Sequence, residues 1–493
     1  SGQIHEFNLE IATPTLVRSL FGAAEPGPVA DDKFYWPIVK QAGLAVDDSG
    51  RMVVVDKGNR RVLTYDADGT LLHTRFSEFQ PAPFVDPNVD PNMLLSTNFQ
   101  YSVDYASGDW ELTHNWLPAD AEYYSGMAVR RTLSNGNDYL FYLKPEGGPD
   151  EQIVAAVYAL EPTGMRRSAI IGSDASGMWN WTDSDGDGEV EESEKTTYAD
   201  ATSADFRLYG PGSWIDGDGN AWIAHWNETL PSVGNVGNTV KIALEGFDSH
   251  GNPLFDWAQR ETAITADTSE WAFNANNVRV HPASGEHFLI GSTAKNNELG
   301  AFWMGGTAVN RIATDGSRYV LPISGPEGQA PVIGSGQFLA AIATGTDADY
   351  FYTGHSASDQ HWFRMYTTDG MLITTGFIGP ENGNHGGWID HGMGITAFTH
   401  PDNGVPYVYA EDVLYGKSVR YRIDNLDTVE RIQQDFTWFA EPFHVTNTMD
   451  DGDGSLRRAI ENANANPGPD IITFSIPGDG VHTINPQSAL PSI

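Results

Sequence analysis

A short run near the middle of the chain concentrates oxygen donors. In WNWTDSDGDGEVEESEKTTY, residues 179–198, Asp183, Asp185 and Asp187 alternate, Gly188 follows, and Glu189, Glu191 and Glu194 complete the set. Alternating carboxylates on a tight turn gather roughly four or five negative charges, which repel one another unless a hard divalent cation neutralises them. Calcium suits such a group best, because its roughly 6 to 8 oxygen ligands tolerate irregular geometry. The alternative is a solvated acidic turn. The runs DGDG at 216–219 and DDGDG at 450–454 lack a closing glutamate at the same distance and read as plain turns.

The order Asp-x-Asp-x-Asp-Gly-x5-Glu from Asp183 to Glu194 resembles the calcium loop of EF-hand proteins. The resemblance implies side-chain oxygens from Asp183, Asp185 and Asp187, turn freedom at Gly188 and a backbone carbonyl from Glu189. It further implies a water-mediated contact from Glu191, an apolar Val190 and a bidentate carboxylate from Glu194. The flanks MWNW and KTTYAD read as strand ends or loops, not as the helix pair of a sensor. The expected role is therefore a structural staple rather than a switch.

His225, His355, His385 and His391 form a second candidate set. Brought together from separate repeats, beside Asp56 and Glu411, neutral imidazoles could hold zinc, copper or iron at an axis, or one could act as a general base. Solvated or hydrogen-bonded surface histidines are the alternative. Tyr123, Tyr124, Tyr209, Trp226, Trp271, Phe273, Trp303, Trp362 and Trp388 crowd the same loops. They could stack on sugars, fill a protein interface, or simply pack between repeats. Cysteine is absent, which excludes disulfides, zinc–thiolate sites and thiol nucleophiles. The sequence contains no phosphate-cradling loop and no Gly-x-Ser-x-Gly elbow.

The elements that would position these groups are short strands. Glycine (52), tryptophan (14), tyrosine (19) and phenylalanine (23) abound in the 493 residues, and long Lys- and Glu-rich stretches are nearly missing. A phrase of strand, polar turn and strand recurs at 62–72, 157–167, 241–255, 309–320, 363–373 and 419–432. Each is preceded by a second hairpin-like phrase, at 43–56, 126–143, 212–225, 277–291, 340–355 and 394–412. Paired hairpins make four-stranded units, and six units in series predict an all-β chain folded as a six-bladed β-propeller over residues 30–435.

GLAVDDSGRMVVVDKGNRRVLTYDADG, residues 43–69, resembles the NHL repeat family, with Asp56, Asn59 and Arg61 in its Asp-x-x-Asn-x-Arg phrase. NHL-type propellers include binding modules, hydrolases and lyases, and the lyases carry a histidine-bound metal on the axis. The fold thus leaves the function open. Residues 1–29 are expected to supply a closing strand, IHEFNLE, to the last blade. Residues 436–493 resemble the N-terminal segment of right-handed parallel β-helix proteins of bacterial surfaces. A helix is expected to start at the cap Ser455 with Leu456, Ala459, Ile460 and Ala463 on one face, followed by a first rung. This resemblance implies a larger parent protein, of which the chain, starting at Ser1, is a processed or excised piece.

With 66 acidic and 28 basic residues, the net charge of −38 opposes binding to nucleic acid and to anionic lipid surfaces. No apolar run is long enough to insert in a membrane. These features together predict a calcium-stabilised, secreted or cell-surface module for recognition or adhesion, binding a glycan or a protein at the propeller face. A metal-dependent hydrolase or lyase at the axial mouth is the second reading, and a self-associating tile of a surface layer or filament the third.

Overall fold

The computed structural model describes residues 4–8, 13–35, 43–77, 83–118, 127–143, 152–199 except 163, 213–224, 239–264, 273–293 except 282–283, 308–322 except 316, 337–342, 350–377 except 358–359, 395–428 except 413–416, 443–476 except 453 and 466–470, and 481–492. The chain divides into two compact units, Ser1–Asp424 and Asn425–Ile493.

The first unit is built from antiparallel meanders, as the alternation and turn residues predict. Six of its sheets close a ring. We number them blade 1 (83–115), blade 2 (127–198), blade 3 (214–264), blade 4 (273–322), blade 5 (337–377) and blade 6 (395–422). Their first strands are Pro83–Phe84, Met127–Thr132, Trp214–Ile215, Phe273–Val280, Gln337–Ile342 and Ile395–Thr399. Neighbouring blades meet through these strands and through large side chains between the sheets. Phe288 of blade 4 lies against Phe351 of blade 5, and Phe363 of blade 5 against Tyr421 of blade 6, while Phe84 of blade 1 reaches Trp214 of blade 3 edge-on. Such sheets are covered on both faces, so the central strand DYLFYL, Asp138–Leu143, is apolar at successive positions and almost wholly buried. Each fully buried Leu or Phe contributes roughly 1.5–3 kcal/mol.

Blade 6 closes directly on blade 1. Tyr105 and Tyr409 share a hydroxyl–hydroxyl hydrogen bond of 2.8 Å, and Phe398 and Tyr407 join Leu94, Phe99 and Tyr101 in one apolar cluster. The all-β, six-bladed propeller is thus present, with a different membership from the repeat reading. The phrase with the clearest NHL resemblance forms the sheet 43–76, which is not one of the six ring sheets. The unrecognised segment 83–115 takes its place. The sheet 43–76 packs instead on the N-terminal segment, through Ile4, Leu20, Phe21 and Phe34, and touches blade 1 at its fourth strand. Its first strand, Gly43–Val46, leaves Leu44 47% and Val46 59% exposed.

The closing strand expected from residues 1–29 is also corrected. Ile4–Asn8 pairs with Thr15–Leu20 as a hairpin of its own, and Gly27–Pro28 adds to the outer edge of blade 1 beside His114–Asn115.

In the second unit, His444–Val445 pairs in parallel with Thr473–Phe474, and a helix spans Leu456–Ala465. Ser455 caps it, its hydroxyl accepting from the amide of Arg458 at 3.2 Å, as the sequence predicts. Ala459 and Ile460 are buried, Leu456 and Ala463 half-buried. Among the described residues no helix is long and apolar enough to cross a membrane.

Candidate metal centre

Blade 2 carries two strands beyond the usual four, and the acidic loop joins them. Gly177–Thr182 and Lys195–Tyr198 form the fifth and sixth strands, paired from Met178 with Tyr198 to Trp181 with Lys195. The flanks are strands, as the sequence predicts, and the loop sits at the outer edge of its sheet.

Within the loop, Asp183 is fully buried while Asp185 and Asp187 are exposed, and one oxygen from each lies within 4.8 Å of the others. Backbone amides aim these carboxylates. Asp183 Oδ1 accepts from Gly186 N at 3.0 Å and Gly188 N at 3.1 Å, Asp185 Oδ1 from Asp187 N at 3.2 Å, and Asp187 Oδ1 from Glu189 N at 2.7 Å. The turn requires left-handed backbone at Gly188, φ 76°, where a side chain would be strained. The three aspartates of the candidate set are therefore brought together.

Glu189, Glu191 and Glu194 are not in that close group. Glu189 and Glu191 are exposed. Glu194 turns back on the loop entrance: its Oε1 accepts from Ser184 N and Ser184 Oγ, both at 2.7 Å, and its Oε2 from Trp181 Nε1 at 3.0 Å. The donor set suits a hard cation: three carboxylates close together, with a fourth, Glu194, held beside the loop entrance by Ser184 and Trp181. Calcium bound there would supply a central positive charge drawing these oxygens together.

Sequence reasoning missed the partners that anchor the loop. Arg166, from the strand Gly164–Asp174, pairs with Asp183 Oδ2 and donates to Asn252 Oδ1 at 2.9 Å. Asn252 in turn donates to the carbonyl of Asp183. Asn252 belongs to the turn between Leu244–Phe247 and Pro253–Phe255, a hairpin inserted in blade 3, so the loop is tied to the next blade. No local spacing signals these contacts, which span 17 and 86 residues.

The other candidates are placed differently. His225, His385 and His391 lie outside the described residues, as do Tyr123, Tyr124, Tyr209, Trp226, Trp271, Trp303 and Trp388. His355 falls on the strand Tyr350–Ala357, opposite Gln337 and Trp362, and Phe273 opens the first strand of blade 4. Glu411 lies in Pro406–Asp412 opposite Ser418. Asp56 is not at the ring: it is buried in the sheet 43–76, its Oδ2 accepting from Arg61 Nε at 2.8 Å and Asn59 Nδ2 at 2.9 Å, its Oδ1 from Tyr35 N at 3.0 Å. The phrase thus makes a buried ion pair that positions a turn, with both Asp56 oxygens accepting hydrogen bonds within the protein. Asp216, from the weaker run at 216–219, serves its own turn, whereas Asp450 accepts from Arg457 Nη2 at 2.8 Å and from the amide of Gln487 at 2.9 Å.

No protein-family model matches the chain, and no curated protein does so. Solved structures that resemble it include a streptogramin B lyase (10% identity, TM-score 0.31, covering 85% of this chain and 97% of that one). Another is virginiamycin B lyase from Staphylococcus aureus (9%, 0.29, 78% and 92%). A third is the β-propeller domain of Cps50 (Swd1) from Myceliophteria thermophila (10%, 0.32, 81% and 99%).

Proposed function

We propose that this chain is a calcium-stabilised recognition or adhesion module of a secreted or surface-exposed bacterial protein, with an NHL-like propeller followed by the start of a parallel β-helix. The observation that carries the reading is the loop 183–194. Three carboxylates within 4.8 Å of one another, on a turn with EF-hand spacing, sit where an inserted hairpin of the next blade is tied in. A cation there would fix the blade 2 loop in the shape that lets the carbonyl of Asp183 accept from Asn252 of the hairpin inserted in blade 3.

A stapling role is consistent with the −38 charge, since calcium-containing surroundings both screen the acidic surface and fill the site. In the absence of cysteine, metal stapling takes the place of disulfides. The propeller face then presents a glycan or protein ligand site, with the C-terminal unit leading into a stalk.

The test has two parts on the full chain. Metal content measured after purification without chelator should give calcium, and the melting temperature should fall on adding EDTA and recover with calcium chloride. A glycan and extracellular-matrix protein array, probed with and without calcium, should then give calcium-dependent binding. Protein free of calcium with an EDTA-insensitive melt removes the staple, and an empty array removes the recognition role.

A further inference from the structure

Asp183 is withdrawn from solvent, and the cation facing it belongs to the protein. Arg166 pairs with Asp183 Oδ2, donates to Asn252 Oδ1 at 2.9 Å and to the carbonyl of His250 at 3.3 Å, and lies 3.5 Å from Glu161. Its side chain is only 19% exposed, so the fork is held in one pose by several acceptors. Asp183 Oδ1 already accepts two amide hydrogens, from Gly186 and Gly188. A divalent cation among Asp183, Asp185 and Asp187 therefore meets Arg166 at the same carboxylate.

Resting on the calcium reading above, we infer that Arg166 is a built-in counter-cation that competes with calcium for Asp183 and so sets the affinity of the loop. Without metal, the guanidinium neutralises a carboxylate that would otherwise be buried bare, a costly arrangement. With metal, two positive groups compete for one carboxylate, and Arg166 is displaced toward Glu161 and Asn252, which it already touches. The competition protects the metal-free fold and weakens binding. A loop of this construction loads only where calcium is abundant, which is the condition outside cells.

Calorimetric titration of the chelator-treated full chain with calcium chloride tests this, using wild type, Arg166→Gln and Arg166→Lys. With the competitor removed, Arg166→Gln should bind roughly ten- to a hundredfold more tightly, the range expected for losing hydrogen bonds to a charged group. Arg166→Lys should fall between it and the wild type, because an ammonium cannot satisfy the several acceptors at once. The melting temperature of Arg166→Gln should drop in EDTA and approach that of the wild type in calcium, widening the gap between the two conditions. Calcium binding by the wild type with equal or weaker binding by both variants overturns the proposal and leaves the staple intact. If no protein binds calcium, both readings fail. Should Arg166→Gln not fold, an affinity of Arg166→Lys no tighter than that of the wild type is enough to overturn it.

Discussion

The four letters Asp-Gly-Asp-Gly occur three times in this protein, and the first two turns engage their carboxylates differently. These two lie at 185–188 in the acidic loop of blade 2 and at 216–219 in the first hairpin of blade 3. At the second, Asp216 spends both oxygens on its own turn. Its Oδ1 accepts from the amides of Asp218 and Asn220 at 3.0 and 2.9 Å, and its Oδ2 from Asn220 Nδ2 at 2.9 Å and Trp222 Nε1 at 2.8 Å. In the blade 2 loop, Asp185 and Asp187 each accept an amide at Oδ1, and Asp183 before them completes the close set. The letters of the turn do not decide between folding and ion binding. The proposed ion binding rests instead on how the carboxylates around each turn are engaged and how closely they are gathered.

The sharpest way to break this contrast is to remove the buried carboxylate. Asp183→Ala takes the partner from Arg166 and the acceptor from two amides, and should cost about 3 kcal/mol of unfolding free energy in EDTA, measured by urea melts. Its response to calcium should vanish as well. A loss below about 1 kcal/mol would mean that Arg166 and the loop are solvated, not packed.

Asp216→Ala should cost less, about 1–2 kcal/mol, because it leaves the indole of the buried Trp222 and the amide of Asn220 without their acceptor. Calcium affinity should be unchanged. A shift in calcium affinity would show that the two turns are coupled through the hairpin 244–255 and would erase the distinction between them. Glu194→Gln sits between the two turns in kind. In EDTA it should cost only about 1 kcal/mol, since the amide oxygen still accepts from Ser184 or Trp181. In calcium it should lose most of the stabilisation, because the carboxylate that closes the set is gone. An unchanged calcium response would exclude Glu194 from the ligands.

How far the fold was legible depended on what each turn is made of. The sheet 43–76 announces itself through Gly50 and Gly69, at φ 80° and 97°, but nothing in its letters says whether both faces will be covered, and Leu44 and Val46 remain in solvent. Blade 1 is the reverse. Its central hairpin turns at Thr97 and Asn98 with φ 53° at Thr97, and its first strand is two residues long, so neither glycine nor a long alternation marks it. The three aspartates were readable because the spacing itself places them. Arg166 and Asn252 were not, because they reach the loop across a strand pair and from another blade. A buried charge in a turn predicts that a partner exists, but tertiary packing supplies its identity.

The third acidic run, at 450–454, gives the smallest and most specific test, because its half-buried Asp450 is tied to Arg457 and to a distant backbone amide and not to its own turn. Asp450 Oδ1 accepts from Arg457 Nη2 at 2.8 Å and from the amide of Gln487 at 2.9 Å, and these bonds hold its carboxyl below the usual value of 3.8. A depressed carboxylate pKa means that the unfolded chain binds the proton more readily, so the contribution is full above 3.8 and is lost as pH falls below it. Hydrogen exchange of the helix Leu456–Ala465, followed from about pH 6 to about pH 3, should show local protection falling in the lower part of that range once intrinsic exchange rates are divided out. Asp450→Asn should flatten that fall while leaving the calcium titration of the loop 183–194 untouched. If the fall persists in the variant, other carboxylates carry the acid sensitivity of this unit, and Asp450 is no more than the plain turn residue that its sequence suggested.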